Sequence, residues 1–161
     1  MLKSQAPSVI AAAIAQGAQL ATAESLTAGM IAARLAEVPG ASAVLRGGVV
    51  SYSSDVKKSL LDVDAELLEA QGSVDPEVAR QMAVGALHAC GADLAVSATG
   101  VAGPDAHDGK PVGTVYIGWA RGEESGSTEH HFVGDRAQIR EQSTHAALQQ
   151  LAAILNKASS Q

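Results

Sequence analysis

Thr22-Ala23-Glu24-Ser25-Leu26-Thr27-Ala28-Gly29 is where an apolar run, Gln19 to Ala23, gives way to apolar residues at helical spacing: Leu26, Met30, Ile31 and Leu35. Ser25 stands at that junction. A serine between a strand and a helix presents its hydroxyl beside the unpaired N–H groups of the helix's first turn. An acyl-transfer nucleophile and its oxyanion site require those two features. The plain alternative is a helix cap, with the serine oxygen accepting from a first-turn N–H. The stretch by itself leaves both readings open.

Upstream, Pro7 to Gln16 reads as a helix closed by Gly17. Downstream, the helix from Leu26 to Val38 stops at Pro39-Gly40, and Val44 to Ser51 reads as a strand running into Tyr52. Ser53-Ser54-Asp55 then offers caps for a short helix through Leu61. Asp64 to Gln71 is a further helix ending at Gly72, and Asp75-Pro76 opens a longer one to Cys90. Asp93 to Ser97 is apolar and leads into the glycine-rich Thr99 to Pro104. Thr114 to Ala120 is rich in β-formers, Gly122 to Ser127 reads as a hairpin loop, and Thr128 to Val133 as its second strand. From Asp135 the pattern is helical to about Leu155, with a frayed polar tail. This order predicts an α/β fold: a single three-layer α/β/α domain over residues 1–161 with a mixed sheet, helices on both faces, and a carboxy-terminal hairpin plus long helix.

A chain of 161 residues suits one domain. With a net charge of −6 and no basic stripe, nucleic acid is not an expected partner. Nothing resembles a signal peptide or a bilayer-spanning stretch, so no membrane association and a cytoplasmic location are expected. One cysteine, Cys90, cannot form an internal disulfide and reads as a small core residue. Small aliphatic helix faces could bury either a homo-oligomer interface or the domain's own core.

Lysine is the informative companion for Ser25. Lys57 or Lys58 would lie in the first turn of the helix after Tyr52, where the dipole disfavours an ammonium by only about 0.3–1 kcal/mol. A general base near neutral pH needs a drop of about three units from ~10.4, so desolvation must supply most of it. Neighbours on a helix point about 100° apart, so at most one of the two can face Ser25, and spacing does not say which. Arg136 and Arg140 share a helix face and could clamp a phosphate or carboxylate. Gly100 and Gly103 would let backbone N–H groups approach a ligand, although a tight turn explains them equally well. His88, His107, His130, His131 and His145 show no metal-ligand spacing, so neither a metal nor any other cofactor is expected. Glu24 stays undecided between orienting a site and sitting in a helix's first turn.

Taken together, Ala23-Glu24-Ser25-Leu26-Thr27-Ala28-Gly29, Gly48-Val49-Val50-Ser51-Tyr52-Ser53, Lys57, Thr99-Gly100-Val101-Ala102-Gly103-Pro104, Pro111 to Val115, and Gly134-Asp135-Arg136 with Ile139-Arg140 resemble the carboxy-terminal domain of the competence/damage-inducible CinA family. Stand-alone members of that family include nicotinamide mononucleotide deamidases. The resemblance implies a serine amidohydrolase that turns the carboxamide of a pyridine nucleotide into a carboxylate and ammonia. It places the nucleophile on Ser25, the base on Lys57 rather than Lys58, and a supporting tyrosine on Tyr52. Under it, first-turn N–H groups around Ser25, Leu26 and Thr27 would form the oxyanion site, and Thr99, Gly100, Gly103, Arg136 and Arg140 would contact substrate. Many members carry two glycines where this chain has Ala28-Gly29. Larger members have an additional amino-terminal domain, which is not expected within these 161 residues. Two rival expectations are a non-catalytic nucleotide-binding module and a serine amidase or esterase of other specificity.

Overall fold

The computed structural model describes residues 3–160; Met1, Leu2 and Gln161 of the expected 1–161 domain lie outside the described residues. In chain order the elements are α1 (Ala6–Gln16), β1 (Leu20–Glu24), α2 (Met30–Ala36), β2 (Leu45–Val50), α3 (Ser54–Leu61), α4 (Ala65–Gln71), α5 (Pro76–Cys90), β3 (Leu94–Gly100), β4 (Thr114–Arg121), β5 (Glu124–His131) and α6 (Arg136–Ser159). The sheet order is β2-β1-β3-β4-β5, with β1 parallel to both β2 and β3 and the β3–β4 and β4–β5 pairs antiparallel. The result is the mixed sheet of a three-layer α/β fold.

Strand alternation assigns the layers. Leu20, Leu94, Val96, Ala98, Val115 and Ile117 pack against Val9 and Ile10 of α1, Ile31 and Leu35 of α2, and Ile139, Leu148, Leu151 and Leu155 of α6. Ala21, Ala23, Ala95 and Ala120 face the other way, onto Leu61, Val78, Met82, Ala83 and Ala86. Helix α5 lies very close to the sheet there. A Cβ on Gly118 of β4 would stand 2.1 Å from the Ala79 carbonyl oxygen of α5, and α5 lies equally close to α3, where a Cβ on Gly85 would stand 2.1 Å from the Leu61 carbonyl oxygen. Small side chains at the contact are what allow so near an approach. No helix among the described residues is long and apolar enough to cross a membrane.

The chain leaves β1 for β2 over one face, then crosses by α3, α4 and α5 over the other face to β3 on the far side of β1. That reversal opens a crevice at the carboxyl ends of β1, β2 and β3, where open α/β sheets bind ligands. Ser25, Ser51-Tyr52 and Val101 to Gly103 directly follow those three strand ends.

Several boundaries differ from the expected ones, among them the end of β3, which runs through Thr99 and Gly100 instead of giving way to a loop at Ser97. Helix α2 begins at Met30, not Leu26, because residues 25–29 form a run of turns in which Ala28 (φ 47°) and Gly29 (φ 100°) are left-handed. A 3₁₀ turn at Ala41–Ala43 precedes β2 and had no sequence signal. The hairpin turn is only Gly122-Glu123, and β5 covers Glu124–His131 instead of 128–133. Its Ser, Gly and Glu residues hide it, since an edge strand half exposed on both faces needs no apolar alternation. Finally, α6 continues to Ser159, tied at its end by Gln16 Nε2 donating to the Leu155 carbonyl and the Ser159 hydroxyl.

Candidate active site

Among the described residues Lys57 is the largest fully buried side chain. It sits on the inner side of α3, whose start is fixed by Ser53: the Ser53 hydroxyl caps the helix by accepting from the Val56 N–H. Its amine reaches back to the turn after β2. Nζ lies 2.9 Å from Ser25 Oγ, 2.7 Å from the Ser51 carbonyl oxygen and 3.3 Å from that of Tyr52. Lys58, its neighbour, is exposed. Desolvation by burial lowers the Lys57 pKa from 10.5 to about 8, and the field of Asp108 opposes that shift.

The hydrogen-bond inventory explains how a lysine fits here. A neutral amine has two N–H donors and one lone pair. Two backbone carbonyls take the donors, so the lone pair remains for the Ser25 hydroxyl. Ser25 is correspondingly not a helix cap: the cap position of α2 is Gly29, and no side chain caps the helix from that position.

Glu24 takes the place of the anion expected at the helix's free N–H groups. Its buried carboxylate accepts from the Gly29, Ile31 and Ala32 N–H groups and from the Thr22 hydroxyl. The helix terminus is therefore occupied by the protein's own anion, contrary to the expectation that first-turn N–H groups face an oxyanion. Ser25 N–H is also committed, to the Ala98 carbonyl. Among the described residues only the Leu26 and Thr27 N–H groups of this turn donate to no protein acceptor. The Thr27 hydroxyl is buried without a partner.

The two arginines of α6 separate in role. Arg136 lines the cavity beside Ser25, donating to the Gly103 carbonyl and to the Tyr52 hydroxyl at 2.8 Å. Arg140 does not line it. Its Nε donates to the Leu26 carbonyl at 2.8 Å and its Nη2 to the Thr27 carbonyl at 3.5 Å, so this guanidinium braces the serine turn. Tyr52 is also placed otherwise than expected: its phenol meets Arg136, and only its backbone carbonyl touches Lys57.

The cavity, about 330 Å³, is lined by Ser25, Leu26, Tyr52, Ser73, Arg136 and the segment from Gly100 to His107. That is enough for a small organic ligand. Gly100 is required for a reason other than ligand approach, because a Cβ there would stand 2.6 Å from the Thr114 carbonyl oxygen of β4. Thr99 is buried behind the cavity, its hydroxyl donating to the Ser73 carbonyl. Sequence reasoning missed Ser73 and Asp108. The Asp108 carboxylate accepts from the Ser73 N–H and hydroxyl, latching the loop after Pro104 to the segment before α5. The closeness of two polar loop residues 35 positions apart carries no local signal. Among the described residues no cluster of His, Cys, Asp and Glu could hold a metal ion.

Comparison with known proteins gives one consistent family. The family model described as CinA C-terminal domain matches residues 2–155. A CinA-like protein of Mycolicibacterium gilvum is 48% identical over 147 residues, covering 90% of this chain and 35% of that protein. One from Mycolicibacterium vanbaalenii is 51% identical over 134 residues, covering 82% and 32%. The chain thus spans about a third of the length of these curated relatives. Among solved structures, a CinA superfamily protein from Klebsiella pneumoniae superposes with a TM-score of 0.91 at 34% identity, covering 95% of this chain and 96% of that one. A competence/damage-inducible protein from Agrobacterium tumefaciens gives 0.87 at 35% identity, covering 97% and 98%.

Proposed function

The chain belongs to the CinA C-terminal domain family, and on that premise we propose that it is a serine amidohydrolase that deamidates nicotinamide mononucleotide. The observation that carries the reading is the 2.9 Å contact between the buried Lys57 amine and the Ser25 hydroxyl. A lysine pushed toward neutrality beside a serine is an activated nucleophile. The substrate class comes from the family resemblance, and the cavity and its arginine are compatible with a small anionic ligand.

In the proposed reaction, neutral Lys57 takes the Ser25 proton as Oγ attacks the carboxamide carbon. The carbonyl oxygen becomes an oxyanion facing the free N–H groups of Leu26 and Thr27. The Lys57 ammonium then gives its proton to the amide nitrogen, the C–N bond breaks, and ammonia leaves an acyl-Ser25 ester. Water, deprotonated by the same amine, attacks that ester; Ser25 departs with the proton restored and the product is a carboxylate. Arg136 sits where it would hold an anionic group of the substrate.

The test is ammonia release from nicotinamide mononucleotide by the purified protein with Ser25→Ala alongside. Turnover by the native chain alone supports the reading. A native chain that binds the mononucleotide without turnover overturns it in favour of a binding module.

A further inference from the structure

Asp108 is fixed from several sides. Its backbone is left-handed at φ 52°, and its carboxylate accepts from the Ser73 N–H at 3.0 Å and from the Ser73 hydroxyl at 3.3 Å. Gly72 leaves the room for it, since a Cβ there would stand 2.5 Å from Asp108 Cγ. Ser73 is tied in turn to the end of β3, where the Thr99 hydroxyl donates to its carbonyl at 2.7 Å. His107 Nε2 lies 3.4 Å from the same carboxylate oxygen. The carboxylate thus touches two residues of the cavity wall, Ser73 and His107.

A latch of this kind does not require a charge. An asparagine oxygen would accept the same two hydrogen bonds from Ser73. The charge also works against the chemistry proposed above. The field of Asp108 reaches the Lys57 amine and opposes the lowering of its pKa. At the same reacting centre a negative field opposes the oxyanion. Both costs are offset by a substrate that carries positive charge beside its carboxamide, and by no neutral amide.

Resting on the amidohydrolase reading, we propose that Asp108 is a specificity-determining residue: its carboxylate selects a carboxamide borne on a cationic N-substituted pyridinium ring over the same carboxamide on a neutral ring. The other charges of the cavity suit a ligand with two poles. Arg136 donates to the Gly103 carbonyl and the Tyr52 hydroxyl and keeps further guanidinium N–H groups for an anionic group. A neutral Lys57 presents no charge to repel the ring. Asp105 also lines the cavity, but it shares none of the contacts that hold Asp108 in place.

The experiment measures dissociation constants by isothermal titration calorimetry on the Ser25→Ala chain, which cannot turn over, with and without Asp108→Asn. The two ligands are nicotinamide mononucleotide and its 1,4-dihydro form, which carries the same carboxamide, ribose and phosphate on an uncharged ring. Their ratio cancels whatever Asp108 does to the shared phosphate. The Ser25→Ala chain should prefer the pyridinium form at least about tenfold, and Asp108→Asn should reduce that preference to about twofold or less. Retained binding of the dihydro form, which does not draw on ring charge, is the folding control. Equal affinity for the two forms, or a preference that Asp108→Asn leaves untouched, overturns the assignment while the deamidase reading stands. A preference lost on Asp105→Asn alone moves the role to Asp105 and overturns it equally. Binding of neither form overturns the deamidase reading and this assignment with it.

Discussion

Lys57 Nζ lies 2.9 Å from Ser25 Oγ, and its other two hydrogen-bond partners are backbone carbonyls, not a carboxylate. No anion contacts this amine, so burial disfavours its charged form and draws its pKa down to about 8, while the neutral form keeps both carbonyls and frees a lone pair for the serine. The following expectations rest on that pair and on the groups that hold it.

The first concerns rate. The reaction needs neutral Lys57, and its pKa is lowered to about 8, so kcat/KM should rise with pH to a plateau above about 8. Asp108 opposes the lowering, so Asp108→Asn should move that rise to lower pH. An unchanged midpoint in the pH profile would show that Asp108 does not act on the amine. Lys57→Ala should lower kcat by at least about 10³-fold.

A second expectation concerns stability and has a definite sign. Below about pH 8 both the folded and unfolded chains hold the Lys57 proton; between about 8 and 10.5 only the unfolded chain does; above that neither does. The unfolded state therefore binds more protons in that window, and stability rises with pH across it, by about 3 kcal/mol in total at 1.36 per unit. Lys57→Met removes this dependence. Relative to the native chain, its stability at pH 7 should exceed its stability at pH 10.5 by about that amount, read from denaturant unfolding at the two pH values. The comparison cancels the cost of leaving the Ser51 and Tyr52 carbonyls unpaired, which is common to both.

Much of this site could be read from residue order, and the unread part has physical causes. The junction at Ser25, the strand that precedes Tyr52 and the helix after it follow from apolar spacing and cap chemistry. That Lys57 turns inward and Lys58 outward does not, because successive helical residues diverge by about 100° and the choice rests on two backbone carbonyls presented by another element. Helix α2 starts four residues later than its apolar spacing suggests because Glu24, left undecided by the sequence, takes the N–H groups that would otherwise have extended the first turn. Likewise Arg136 and Arg140 share a helix face, but only tertiary contact separates a cavity wall from a brace. Strand β5 is invisible to alternation because both of its faces are partly wet.

Glu24 should prove structural first and catalytic second. Its carboxylate satisfies three backbone N–H groups and one hydroxyl. Glu24→Ala leaves those donors buried and unpaired, and bonds to a charged group are worth about 1.5–3 kcal/mol each. A stability loss of about 3 kcal/mol or more is expected, measured by urea unfolding, together with a fall in kcat as the Ser25 turn loosens. A loss under about 1 kcal/mol would mean that solvent replaces the carboxylate freely.

The two arginines of α6 should divide kcat from KM. Arg136 lines the cavity, so Arg136→Ala should raise KM about tenfold with a smaller effect on kcat. Arg140 braces the Leu26 carbonyl from outside, so Arg140→Ala should lower kcat about tenfold and leave KM nearly unchanged. Steady-state ammonia release against nicotinamide mononucleotide concentration distinguishes them. A KM effect for Arg140→Ala equal to that of Arg136→Ala would return Arg140 to the substrate.

Ala28 offers a stabilising change beside the nucleophile. Its φ of 47° is left-handed, a conformation that costs an L-residue about 1–2 kcal/mol and glycine almost nothing. Glycine loses part of that advantage by being freer in the unfolded chain, about 0.4–1 kcal/mol. The balance favours Ala28→Gly by about 0.5–1 kcal/mol, a rise of a few degrees in Tm for a chain of this size. The same substitution makes the turn between Ser25 and α2 more pliable, so kcat should fall slightly as stability rises. Alanine at this position then exchanges stability for a stiffer nucleophile turn, and a Tm that falls on Ala28→Gly would show that the left-handed alanine is not strained.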